Sequence, residues 1–293
     1  MKKDIAEEAY PTGEELFELI EDQYPKLGKE DIRTVVRQFE GLHHDEVKYI
    51  LESGARLLKN GKRIILAYLR TAPVIYNIGH LENFNRWLEL AYRASTLSVS
   101  CCEGFFDSSV LIIKKGGIPL LKKWTDMGMS YSEKSKWLSI AYFKYTGSVV
   151  TSTDFETFRE LVSAGGEFAN ANVNVAEEYF KNLPHLHSLL LADDFRLWCS
   201  IIVSMLEVNW IAAIDLINSS AEVLFQIPVQ RTGTLLKALG SFVEHDKKTI
   251  SALFLNSPHA MEALNDHDFN IWVAEASRIV KTDDNAAISF LNR

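Results

Sequence analysis

Leu253–Trp272 reads LFLNSPHAMEALNDHDFNIW: an apolar pair (Leu253, Phe254), a Ser-Pro step, a short apolar helix and a tryptophan. Moving back along the chain in steps of 37 residues returns the same template. The pair becomes Leu216-Ile217, Tyr179-Phe180, Tyr142-Phe143, Phe105-Phe106 and Tyr68-Leu69, and one step forward it becomes Phe290-Leu291. The tryptophan becomes Leu235, Trp198, Leu161, Trp124 and Trp87, with no insertion or deletion in the series. A fixed period of this length marks a repeat architecture, in which each unit buries its apolar face against its neighbours. The expected fold is all-α: an open, right-handed α-solenoid, a HEAT/TPR-like superhelix of about six 37-residue units.

The repeat columns say which positions face inward. Phe84, Leu121, Phe158, Phe195, Thr232 and Phe269 lie three residues before the tryptophan column, so both columns share one helix face. Ala94, Tyr131, Phe168, Met205, Phe242 and Ile279 form another column. Trp87, Trp124, Trp198 and Trp272 are expected to be buried equivalents, and Trp137 to be more exposed. The residue before the pair is mostly small (Ala67, Gly104, Ala141, Ala252, Ser289), which suits close helix packing.

Each unit is expected in three helical pieces. Ser257-Pro258 offers a capping side chain followed by a proline at the first helical position, where the missing N–H costs nothing. Ala72-Pro73, Leu183-Pro184 and Ser220 keep parts of that start signal. Gly116-Gly117 and Gly165-Gly166 read as helix ends, and the β-branched run from Ser148 to Thr153 as an irregular stretch.

Upstream, a polar lead-in over residues 1–12 precedes a helix opened by Thr12, with Leu16, Phe17, Leu19 and Ile20 clustered on one face. A second helix is expected over Lys29–Phe39, and a third over Glu46–Lys59, capped by Asp45 and with Leu58 among its inward residues. The domain reading is therefore a divergent helical capping unit over 1–61 and a repeat solenoid over 62–293. No further unit follows Phe290-Leu291, and a bare apolar end invites association. The array is expected to be truncated there, or to associate through its C-terminal end.

Composition narrows the functions. Apolar residues make up 47% of the chain and charged residues 24%, a globular balance. A net charge of −8 argues against nucleic-acid binding, and Lys114-Lys115 with Lys122-Lys123 read as solvated helix ends. No apolar run reaches the ~18 residues of a membrane span, and the N-terminus has no signal-peptide core. Cys101, Cys102 and Cys199 form no disulfide framework, so a cytoplasmic location is expected.

No nucleophile elbow, phosphate loop, H-E-x-x-H or paired C-x-x-C is present, so no enzyme, cofactor or metal is expected. Asp193-Asp194 and Asp283-Asp284 fit helix N-termini, where carboxylates favour the dipole. His43-His44 reads as a solvated turn at a helix start. His185 and His187 diverge by about 200° on a helix, and His187 stands in an otherwise apolar column, so it reads as a half-buried histidine with a hydrogen-bond partner. Aromatic residues that break polar columns are a sharper signal. Trp137 shares a column with Arg63, Ser100, Asn174, Lys248 and Asn285, although Ile211 stands in it too, and Tyr145 with Thr71, Ser108 and Asn182; the competing reading of both is a locally shifted core contact. Trp137, Tyr145, His185 and His187 are the candidate partner-binding residues.

The template of apolar pair, N-S-P, short Ala/Leu helix and F-x-x-W is best formed in LNSPHAMEALNDHDFNIWVAEASRIV. It resembles the helical repeats that precede the von Willebrand A domain in bacterial proteins of the NorD and CbbO kind, over about residues 62–293. The resemblance implies a scaffold whose partner is a MoxR-type AAA+ ATPase. The family's metal-binding D-x-S-x-S has no match, since Asp107-Ser108-Ser109 lacks the spacing, and no functional residue carries over. Two functions follow: a non-catalytic scaffold for protein–protein interaction, or an enzyme, small-ligand or metal-binding protein with a site in the superhelix groove. His185, His187 and Glu222 are the best polar set for the second.

Overall fold

The computed structural model describes residues 10–243 and 247–292. The lead-in over 1–9, the side chain of Leu58 and Arg293 lie outside the described residues. The described chain is helical, with no strand among those residues. Its helices are α1 (Gly13–Gln23), α2 (Lys29–Val36), α3 (His44–Gly54), α4 (Lys62–Leu97), α5 (Val99–Ser130), α6 (Lys136–Tyr145), α7 (Gly147–Ser152), α8 (Phe155–Ala171), α9 (Val173–Leu186), α10 (Ala192–Val208), α11 (Trp210–Phe225), α12 (Val229–Gly240), α13 (Lys247–Ala263), α14 (Asp266–Val280) and α15 (Asp284–Leu291). They form two compact units, one up to Thr151 and one from Ser152.

Helix starts keep the 37-residue period. The first helix of each repeat begins after His43, His80, Gly117, Asp154, Leu191, Pro228 and Asn265. At His80 (φ 52°) and Gly117 (φ 68°) the chain turns through a left-handed residue, which breaks α4 and α5 into two helices each. Glycine adopts that geometry freely, whereas a histidine there is strained. The second helix begins after Ser98, Ser135, Asn172, Asn209 and Asp283, and every one of these side chains accepts a backbone N–H of the first turn.

Most units therefore hold two helices where three pieces were expected; the unit after Ser135 keeps three, with a break at Thr146 that separates α6 from α7 ahead of α8. Pro73, Pro184 and Pro258 lie inside α4, α9 and α13, and Ser220 inside α11. The hydroxyls read as caps have another use. Ser220 Oγ donates back to Leu216 O at 2.6 Å and accepts from Trp198 Nε1 at 3.0 Å. Thr146 does the same for Trp124, at 2.9 Å. Three further expectations are corrected. The 148–153 stretch is helical in α7 up to Ser152. The third helix starts at His44, with Asp45 in its first turn, and gives way to a 3-10 segment after Gly54. Gly165-Gly166 lies within α8, because a Cβ at Gly165 would stand 2.6 Å from the Phe180 ring and 3.1 Å from Tyr179.

That contact belongs to a recurring pairing. Where the residue 14 positions before the apolar pair is a glycine, it packs against the pair's first member, and the same spacing relates the equivalent residues of the other repeats. It is Gly54, Gly128 and Gly165 before Tyr68, Tyr142 and Tyr179. It is Ala91 and Ala276 before Phe105 and Phe290, and Ile202 and Leu239 before Leu216 and Leu253. Size on one side is offset on the other, as a close-packed interior requires. The three tyrosine hydroxyls also donate to equivalent carbonyls, Ile50 O, Trp124 O and Leu161 O, at 2.6, 2.9 and 2.6 Å.

Trp87, Trp124 and Trp198 are fully buried. Trp272 is half-buried, tilted against Phe269 and stacked on Phe290, in α14, the last described helix of its row. Within the second unit α8, α10, α12 and α14 pack in one row and α9, α11, α13 and α15 in another.

Candidate binding surface

In the first unit, the second helices of successive repeats run over 62–79, 99–115 and α6. Their inner side carries the buried pairs. Their outer side carries positions spaced by three or four residues, which share a helix face. Arg63, Ser100 and Trp137 form one rung, Leu66, Glu103 and Ile140 the next, and Arg70, Asp107 and Lys144 a third. The last two rungs, with Arg63 and Ser100, line an open groove of about 460 Å³. Gly104 sets its depth: a Cβ there would stand 2.7 Å from the Phe143 carbonyl, so α6 lies directly against the preceding helix.

The groove's charges are unequally satisfied. Arg63 places Nε and Nη2 on the two Glu103 oxygens at 2.8 and 2.9 Å. Arg70 and Lys144 hydrogen-bond no carboxylate among the described residues. Burial raises the Asp107 carboxyl pKa, and the Arg70 guanidinium draws it back down. The Lys144 amine lies 5.1 Å over the ring of Tyr145, which is half-buried. Trp137 leaves 66% of its surface exposed in the first turn of α6, where its backbone N–H is held by Ser135 Oγ at 3.1 Å.

His185 lies in the last turn of α9 and His187 is the capping residue after it, both in the second unit, while Trp137 and Tyr145 belong to α6 in the first. His185 is exposed. His187 is half-buried, with Nδ1 3.2 Å from Leu183 O and Nε2 2.9 Å from Ser152 Oγ. A carbonyl only accepts, so Nδ1 carries the proton and Nε2 accepts from the serine. Both nitrogens are thereby engaged in helix packing. Glu222 occupies the position of His185 one repeat later, and both side chains are exposed. Among the described residues no three His, Cys, Asp or Glu side chains lie together as a metal set.

The columns that line the first groove recur on α11 and α13, around an open groove of about 400 Å³. There they hold Asp215, Asn218, Ser251 and Leu255, with Glu222 nearby; no lysine or arginine is among the lining residues, although Lys248 stands in the Arg63 column. The column signal picked out Trp137 and Tyr145, but the cations beside them were passed over. Arg63, Arg70 and Lys144 look like ordinary solvated helix residues until neighbouring helices bring them to one groove.

No family model, curated protein or solved structure matches the chain. Among the described residues no helix is long and apolar enough to cross a membrane.

Proposed function

We propose that the chain is a non-catalytic helical-repeat scaffold, an α-solenoid that docks a protein partner on the outer side of the second helices of its first unit. The observation that carries this reading is Trp137, a large aromatic side chain 66% exposed at the edge of a groove holding two cations without hydrogen-bonded acids. Exposed tryptophan and arginine beside apolar side chains are the usual anchors of protein interfaces. The fixed 37-residue spacing of helix starts supports the solenoid, because identical steps between helix pairs propagate into a superhelix. Small-angle scattering should then give a radius of gyration above the ~19 Å of a compact chain of this length.

The family resemblance suggests a MoxR-type AAA+ ATPase as the first partner to try. The test is co-elution of the full chain with the MoxR-type ATPase of its source organism. Trp137→Ala should weaken that complex at least about tenfold while leaving thermal unfolding in place. Full affinity in the variant would remove this surface as the docking site. No complex with the native chain would remove the ATPase as partner.

A further inference from the structure

The first-row helices of the second unit present the same outer face twice, and the two copies carry opposite charge. Between α8 and α10 a groove of about 950 Å³ is lined by Glu156, Glu160 and Glu167, by Arg159 and Arg196, and by Ser163, Ser200 and Ser204. Between α12 and α14 a groove of about 610 Å³ is lined by Lys237, Arg278 and Lys281 and by no acid. The two grooves share repeat positions 74 residues apart: Ser163 becomes Lys237, Glu167 becomes Ser241 and Ser204 becomes Arg278, while Glu207, beyond the lining of the first groove, stands at the position of Lys281.

Internal pairing leaves much of this charge available. In the acidic groove Arg196 holds Glu160 at 2.8 Å and Asp193 at 3.1 Å, and Arg159 holds Glu156. Exposed Glu167 and Glu207 have no ion-pair partner among the described residues. In the basic groove Arg278 is held by Glu275 at 2.6 Å, while exposed Lys237 and Lys281 have no ion pair there. One face of one compact unit thus carries an acidic pole and a basic pole.

Such a face is complementary to itself. A two-fold axis between the poles sets each acidic groove against the basic groove of a second molecule, and both contacts form together. We infer that this chain self-associates through the first-row face of its second unit, two copies packing antiparallel with the acidic groove of each on the basic groove of the other. Trp137 lies in the other unit, so this association stands or falls separately from the proposed partner surface.

Sedimentation velocity of the full chain over a wide concentration range tests it. In about 20 mM salt the native chain should dimerise. Raising salt to about 0.5 M, where the Debye length falls to about 4 Å, should weaken the dimer at least about tenfold. Lys237→Glu with Lys281→Glu, and separately Glu167→Lys with Glu207→Lys, should each leave a monomer, because both contacts become repulsive. Mixing the two variants should restore a dimer containing one of each, because both contacts are again attractive. All four side chains are exposed, and native circular dichroism and unfolding temperature confirm that the variants fold. A variant that failed this check would be replaced by its glutamine version, which should weaken the native dimer without restoring the mixed one. A native chain that stays monomeric in low salt would overturn the inference. So would association that ignores salt and charge reversal, which would point to the half-buried apolar end around Trp272 and Phe290 instead.

Discussion

The repeat around Tyr142 and the repeat around Leu253 occupy the same positions and fill their cores differently. In the first, Gly128 leaves room for the Tyr142 ring, Tyr142 reaches Trp124 O at 2.9 Å, and Trp124 reaches Thr146 at 2.9 Å. In the second, buried Leu239 and Leu253 stand at the Gly128 and Tyr142 positions, Leu235 replaces the tryptophan, and Ser257 hydrogen-bonds its own helix through Leu253 O at 2.5 Å. One core is aromatic and bridged by hydrogen bonds; the other is aliphatic. What the repeat conserves is the volume shared between two helices, and the residue types follow from it.

The largest effect separating the two repeats should be at the tryptophan column. Trp124→Ala should cost about 3–5 kcal/mol, because it empties a fully buried site and strips Thr146 of a donor. Leu235→Ala should cost less, nearer ~2–3 kcal/mol, for its smaller side chain. Chemical denaturation of both variants checks the order, and equal losses would break the comparison.

Next comes the volume exchange itself. Leu253→Tyr should cost about 1–3 kcal/mol by overpacking against Leu239. Adding Leu239→Gly should recover part of that loss, although glycine inside a helix itself costs about 1 kcal/mol. A double variant as unstable as the sum of the two single ones would show that the paired columns do not share space.

Tyr142→Phe should cost about 1 kcal/mol, since it removes one buried hydrogen bond and little volume. An unchanged denaturation midpoint would mean that the hydroxyl contributes packing only.

The smallest effects lie at the first-helix caps. His80→Gly should stabilise by up to about 1 kcal/mol, since Gly117 makes the same turn without strain. Leu191→Asp should add up to about 1 kcal/mol by restoring the side-chain cap that Asp154 supplies one repeat earlier. A fall in melting temperature for either would separate these starts from their equivalents.

The sequence alone determined the 37-residue spacing, the all-helical class and most of the buried columns, with Trp272 and Ile279 only half-buried. Those features are carried by apolar side chains whose spacing is fixed by helix geometry, so a single chain displays them without its neighbours. The exposure of Trp137 was also legible, because it replaces polar residues at an outward position. Tertiary structure decided where the helices begin. Ser257-Pro258 carries a local start signal, yet helix α13 runs through it, and the equivalent hydroxyls at Thr146 and Ser220 serve as acceptors for a tryptophan 22 residues earlier. Among the described second helices the working caps are Ser98, Ser135, Asn172, Asn209 and Asp283, where backbone and side chain together satisfy the first turn. Only the fold brought Arg63, Arg70 and Lys144 to one groove, and only the fold set an acidic and a basic pole on one face. Pairs three or four residues apart, such as Glu156 with Arg159 and Glu275 with Arg278, are legible in one sequence window, whereas Arg63 with Glu103 and Glu160 with Arg196 join helices about a period apart and need the fold.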